Sequence, residues 1–249
     1  MARLPRFPDL LTTANLACGV GAVLLASHGE LTIACGLLFL AALFDVFDGL
    51  AARALGGGTH LGAQLDSLAD MVSFGLAPAV IVFHRASPWL AADRGDHWML
   101  WATAVVMSVC SGWRLAKFNV DTRQTSGFLG LPTPAHALFW VSAVLMAEGY
   151  EPWSAPMRQW PGAWAATLFT MPAVLLGLSV LLGALMLSEL PLPSLKFGGG
   201  KWRGNEVIFL LLSAGALLVI ALGIPAVPVI LGLYLLSPLW GRLFPSSRT

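Results

Sequence analysis

The sequence predicts an all-α, polytopic membrane protein with about eight spanning helices and both termini on the cytoplasmic side. Composition is the first observation: 57% of the 249 residues are hydrophobic and 11% are charged, where soluble domains carry roughly 25% charged residues. Mean hydropathy is +0.77. The second is the recurrence of apolar runs near the length of about 20 residues that a bilayer core demands. The third is the placement of Lys and Arg, which gather on one side of the predicted spans. A net charge of +1 provides no global basic field, and no nucleic-acid partner is expected.

The first run, near 9–27, outlasts the apolar core of a signal peptide and has no clear cleavage signal after it, so it reads as a first spanning helix. "SHGE" separates it from the second, 31–55, and "LGGGTH" separates the second from the third, 62–84. That link is too short for anything but an antiparallel hairpin. The fourth run, 97–118, follows "RASPWLAADRGD", and the fifth, 134–147, follows "FLGLPTPAH". "YEPWSAPMRQWPG", "ELPLPSLKFGGGKWRGN" and "GIP" punctuate the sixth, seventh and eighth, at 163–187, 206–222 and 224–241. Trp89, Trp98, Trp153, Trp160 and Trp202 fall near predicted helix ends, as in interfacial belts. Cys18, Cys35 and Cys110 are far apart inside apolar runs and fit neither a disulfide framework nor a thiolate metal site.

With the N-terminus inside, Arg3, Arg6, Arg53, Arg114, Lys117, Arg123, Lys196, Lys201, Arg203, Arg242 and Arg248 fall on the cytoplasmic side. Arg85, Arg94 and Arg158 fall outside, which accounts for all 14. The whole chain, 1–249, reads as one membrane domain in the cell (inner) membrane, with the "LGGGTH" link facing the cytoplasm.

Four acids on spans two and three flank that link: Asp45, Asp48, Asp66 and Asp70. Spacings of i, i+3 and i, i+4 put each pair on one helix face. Gly49, Ala52, Gly62 and Ala63 let the two helices approach closely. Four carboxylates gathered in low dielectric demand a cation or protonation. Hard oxygen ligands without Cys or His favour Mg²⁺, Mn²⁺ or Ca²⁺, and such ions suit phosphoryl chemistry. Arg53, one turn beyond Gly49, can grip a phosphate. A cation or proton pathway through a transporter also explains the charge, but not the glycine and arginine spacing. His60 reads as a solvent-exposed loop residue, and His136 as a hydrogen-bonded residue of an apolar helix.

The stretch Asp45, Asp48-Gly49, Ala52-Arg53, Gly62, Asp66, Asp70 resembles the CDP-alcohol phosphotransferase motif at every fixed position. "LDSLADMVSFGLAPA" (65–79), "WRLAKFNV" (113–120), "FLGLPTPAHA" (128–137) and "LMLSELPLPSLK" (185–196) look like the bacterial phosphatidylserine synthase branch of that family. With "PDLLTTANLACG" the resemblance spans 8–196, a six-helix core around the 45–70 hairpin, and leaves 205–241 as additional C-terminal helices.

The resemblance implies transfer of a phosphatidyl group from CDP-diacylglycerol to the hydroxyl of L-serine, releasing CMP. It implies divalent metal, Mn²⁺ or Mg²⁺ with two ions, held by Asp45, Asp48, Asp66 and Asp70, with Asp70 also the general base. Gly49, Arg53 and Thr59 are implied to contact the CDP part of the donor, together with Pro8, Asp9, Leu10 and Leu11. Family members commonly carry Pro-Asn where this chain has Pro8-Asp9, and Asp9 lacks the amide donors of an Asn. Arg114, Lys117 and Arg123 are candidates for the serine carboxylate or the lipid phosphate, and Lys117 and Arg123 equally fit ordinary positive-inside anchors. Other acceptors, such as glycerol phosphate, inositol phosphate or choline, are the alternatives within the family. Homodimers are common in it.

Overall fold

A computed structural model describes residues 6–88, 97–121, 128–150, 162–192 and 206–241. Helix α1 spans Phe7–Ser27. It starts where Pro8 presets the first turn and the Asp9 carboxylate accepts a hydrogen bond from the Arg6 backbone N–H at 2.8 Å. It ends at Gly29, whose φ of 85° reverses the chain. Helix α2, Leu31–Ala54, returns antiparallel to α1 and stops at Gly56 and Gly57, both with positive φ. Thr59 then caps α3, His60–Asp70, its hydroxyl accepting from the Gly62 N–H at 2.9 Å.

The third predicted span is continuous but not uniform. Helix α3 passes into a π-helical segment, Met71–Leu76, and then into α4, Ala77–Ala86. The register widens there, with the Ala77 N–H reaching back five residues to the Val72 carbonyl. Small residues let neighbouring helices close on this segment. A Cβ added at Gly19 of α1 would lie 2.8 Å from the Ser73 Cα, and one at Gly75 would lie 3.2 Å from the Ser111 side chain.

Helix α5, His97–Val120, crosses back beside α4 and the π segment. The chain then makes one turn of strand, β1 (Phe128–Leu129), paired antiparallel with β2 (Pro191–Leu192). The motif stretch at 128–137 and the described part of the one at 185–196, up to Leu192, thus meet in space. Gly130 explains part of this: its φ is 76°, and a Cβ there would lie 2.6 Å from the Ser188 carbonyl oxygen. Gly130 and Leu131 donate to the carbonyls of Leu190 and Leu185 at 2.9 and 3.0 Å. Helix α6, Thr133–Ala147, follows Pro132 into the middle of the bundle, where Trp140 is fully buried and donates to His136 Nε2 at 3.0 Å.

The predicted sixth span, 163–187, is two helices: α7 (Gly162–Phe169) and α8 (Pro172–Leu187). Pro172 cannot donate to the preceding turn and disfavours a helical residue before it, so Met171 leaves helical geometry at ψ 85°. Helices α9 (Glu206–Leu222) and α10 (Ala226–Gly241) complete the described chain around Gly223, φ 67°.

Among the described residues, Phe7–Ser27, Leu31–Ala54, His60–Ala86 and His97–Val120 are long and apolar enough to cross a membrane, with shorter apolar helices after them. The chain is a polytopic, helical membrane protein, with one short strand pair among the described residues. At the end opposite the 55–60 link, an Arg85–Glu148 ion pair at 2.7 Å joins α4 to α6, with the guanidinium 5.5 Å from the Phe169 ring centre. Arg94, Arg158, Lys196 and the residues beyond Gly241 lie outside the described residues, as do Trp89, Trp153, Trp160 and Trp202.

Candidate active site

Helices α2 and α3 each pack on α1 rather than closely on each other, so Gly49, Ala52, Gly62 and Ala63 border a cavity instead of the expected helix–helix contact, and three of the four aspartates come together beside α1. Carboxylate oxygens of Asp45, Asp48 and Asp66 all lie within 4.8 Å of one another. None of the ion pairs among the described residues reaches them. Asp66 Oδ1 is buried without a hydrogen-bond partner. Three hard oxygen donors converging inside apolar spans, one of them unsatisfied, fit a divalent cation. Asp70, one turn beyond Asp66, stands outside that triad but within electrostatic reach of all three.

Helix α1 supplies polar partners that lay unread in the sequence. Thr12 Oγ1 lies 2.7 Å from Asp48 Oδ2 and donates to it, and Asn15 Nδ2 donates to Asp70 Oδ1 at 3.2 Å. Ser73 Oγ donates to the Asn15 carbonyl at 3.0 Å, tying α1 to the π segment. Ser67 and Asn119 exchange hydrogen bonds at 2.9 and 3.2 Å, joining α3 to α5. Thr12 and Asn15 are one turn apart on the buried face of α1.

A cavity of about 210 Å³ opens beside the triad, where the start of α1, the end of α2 and the 57–59 link meet. Its wall includes Arg6, Pro8, Asp9, Thr12, Asp48, Gly49, Thr59, Gly62 and Asp66. The structure therefore brings Pro8, Asp9, Gly49 and Thr59 to one cavity. Leu10 and Leu11 are not part of its wall, and Leu10 is exposed on the outer face of α1. Successive helical residues turn by about 100°, so a contiguous four-residue segment cannot all face one site. Asp9 has two local tasks: its carboxylate holds the start of α1, and it lies 2.9 Å from where a Gly62 Cβ would be. Thr59 is also the α3 cap.

Arg53 is exposed and is not part of the cavity wall, although its guanidinium lies 3.5 Å from where a Cβ on the wall residue Gly49 would sit. Arg6, read from sequence only as a positive-inside residue, is the added cation of the wall. Arg114 is buried at 4% exposure, 5.3 Å from the Phe118 ring centre and within electrostatic reach of Asp121 and Tyr234, and it is not part of the cavity wall. Lys117 turns instead to the end of α8, donating to the Leu187 carbonyl at 3.3 Å and lying 3.8 Å from Glu189. That placement suits a cation at a helix C-terminus. Arg123 lies outside the described residues.

Comparison with known proteins agrees with this arrangement. The CDP-alcohol phosphatidyltransferase family matches residues 6–232. The CDP-diacylglycerol–serine O-phosphatidyltransferase of Helicobacter pylori strain J99 is 30% identical over 232 residues, covering 92% of this chain and 88% of that protein. The enzyme of that name in Bacillus subtilis strain 168 is 32% identical over 148 residues, 58% of this chain and 77% of its own. The archaetidylserine synthase of Methanothermobacter thermautotrophicus is 37% identical over 150 residues, 59% of this chain and 61% of its own. With its aspartate hairpin, its buried triad and a match running through nearly all its helices, this chain belongs to the CDP-alcohol phosphatidyltransferase family.

Proposed function

We propose that the protein transfers the phosphatidyl group of CDP-diacylglycerol to L-serine, giving phosphatidylserine and CMP. The observation that carries this reading is the convergence of Asp45, Asp48 and Asp66 beside a cavity walled by Arg6, Gly49 and Thr59, in a chain whose relatives are named for this reaction. The positive-inside arrangement supports a cavity open to the cytoplasm at the inner membrane, with the acyl chains of the donor left in lipid.

In this reading the cavity takes the cytidine and diphosphate. Gly49 has no side chain and exposes backbone to the donor, while Arg53 and Arg6 face its phosphates. The serine hydroxyl oxygen attacks the phosphorus bonded to diacylglycerol; a P–O bond forms, the P–O bond to CMP breaks, and CMP leaves with that electron pair. The hydroxyl proton passes to the Asp70 carboxylate. Asp45, Asp48 and Asp66 would hold Mn²⁺ or Mg²⁺, with a second ion if Asp70 joined the set. Bound there, the metal neutralises charge on the diphosphate. Arg114, a buried cation on α5, pairs with the serine carboxylate.

The test is purified protein in lipid–detergent micelles with CDP-diacylglycerol, L-serine and Mn²⁺ or Mg²⁺. Phosphatidylserine and CMP are expected in equal amounts. No CMP release with either ion refutes the transferase reading, and release only with another alcohol refutes serine.

A further inference from the structure

We propose that Asn15 is a positioning residue for Asp70: its amide fixes one carboxylate oxygen so that the other is presented to the reaction. The proposal rests on the reading of Asp70 as general base. Asn15 is fully buried, and its Nδ2 donates to Asp70 Oδ1 at 3.2 Å. Its other amide atom, Oδ1, is buried with no partner. A buried acceptor left unpaired is unfavourable, and turning the amide over would set that oxygen against the carboxylate. The donor that Asn15 presents to Asp70 therefore dictates its orientation.

The backbone of Asn15 is held from the same side. Ser73, three residues past Asp70 in the π segment, donates to the Asn15 carbonyl at 3.0 Å. Gly19, one turn further along α1, admits the Ser73 backbone at a distance that no side chain would allow. Asp70 and its donor are thus clamped to each other by two hydrogen bonds on either side of the point where α3 becomes a π helix. With Oδ1 held, Oδ2 is the oxygen left to receive a proton. A base has to hold its accepting atom within about 0.5 Å and 10–20° of a productive geometry, which one fixed oxygen achieves.

The experiment uses the full chain in lipid–detergent micelles with CDP-diacylglycerol, L-serine and Mn²⁺, comparing Asn15→Leu, Asn15→Ser, Asp70→Asn and the Asn15→Leu/Asp70→Asn pair. Thermal unfolding and Mn²⁺ titration are read beside the kinetics. Asn15→Leu and Asn15→Ser should each lower kcat about 10–100-fold, with KM for CDP-diacylglycerol changed less than about threefold. Adding Asn15→Leu to Asp70→Asn should alter the residual rate less than about twofold, because both changes remove the same function. Because Asp70 stands outside the Asp45, Asp48 and Asp66 triad, Mn²⁺ affinity at the triad should stay within about threefold of wild type in Asn15→Ser, short of the roughly 10–100-fold that losing an outer partner of a metal ligand costs. If Asn15→Leu does not fold, Asn15→Ser decides with the Asn15→Ser/Asp70→Asn pair. Wild-type kcat in a folded Asn15 variant, a multiplicative loss in the pair, or a fall in Mn²⁺ affinity as large as the fall in kcat overturns the proposal. Wild-type turnover in Asp70→Asn itself overturns instead the assignment of the base.

Discussion

Thr12→Val replaces a hydroxyl by a methyl of the same shape and removes one contact, the 2.7 Å hydrogen bond to Asp48 Oδ2. Thr12 is only 4% exposed at the cavity wall, so little solvent reaches the contact. The hydroxyl has a single proton and two acceptors in reach, Asp48 and the Pro8 carbonyl at 3.1 Å. The shorter bond, to a charged acceptor, holds it. Hydrogen bonds to charged groups contribute about 1.5–3 kcal/mol net, and about 1.4 kcal/mol is a factor of ten. The expected loss in Mn²⁺ affinity is therefore roughly 10–100-fold, within the range for outer partners of metal-ligating side chains. Manganese titration followed by electron paramagnetic resonance measures it directly, with kcat at saturating Mn²⁺ as a second readout. Wild-type Mn²⁺ affinity in folded Thr12→Val would refute the inference that α1 orients Asp48 for a cation.

Three further variants probe the frame around the site. Gly19→Ala should force α1 from the π segment, since the new carbon would lie 2.8 Å from the Ser73 Cα; overpacking of this kind costs about 1–3 kcal/mol, and thermal unfolding should shift down by about 5 °C with kcat reduced. Gly130→Ala, strained by its φ of 76° and by the Ser188 carbonyl at 2.6 Å, should lower the unfolding temperature while leaving Mn²⁺ affinity near wild type, because β1 and β2 do not contribute to the triad. Arg114→Met should raise KM for serine about 10–100-fold with KM for CDP-diacylglycerol unchanged; equal rises in both would assign Arg114 to the donor or to packing.

The aspartate hairpin was legible because its information is local: two helices, one short link, and fixed spacings that put Asp45, Asp48 and Asp66 on facing surfaces. Thr12 and Asn15 were harder. Their partners lie 36 and 55 residues away, and a polar residue inside an apolar run does not announce which helix it faces. The signal available was their one-turn spacing on α1, shared with Gly19. Reading 8–11 as one contiguous contact segment overlooked the helical rotation that turns Leu10 outward and brings Thr12 inward. The break before Pro172 was written in the sequence, but the 163–187 stretch stays apolar across it and so reads as one span. The π turn at Met71–Leu76 had no local signature; it coincides with the Gly19–Ser73 and Gly75–Ser111 approaches, which only the packed helices reveal.

On the proposed reading, Asp45, Asp48 and Asp66 jointly hold a divalent cation. Anomalous scattering from crystals of the protein grown with Mn²⁺ tests it most directly, with Asp48→Asn and Asp66→Asn crystals as controls. An anomalous peak among the three carboxylates, lost in both variants, is expected. No peak there in the wild-type protein, or one that persists at full height in both variants, would contradict it.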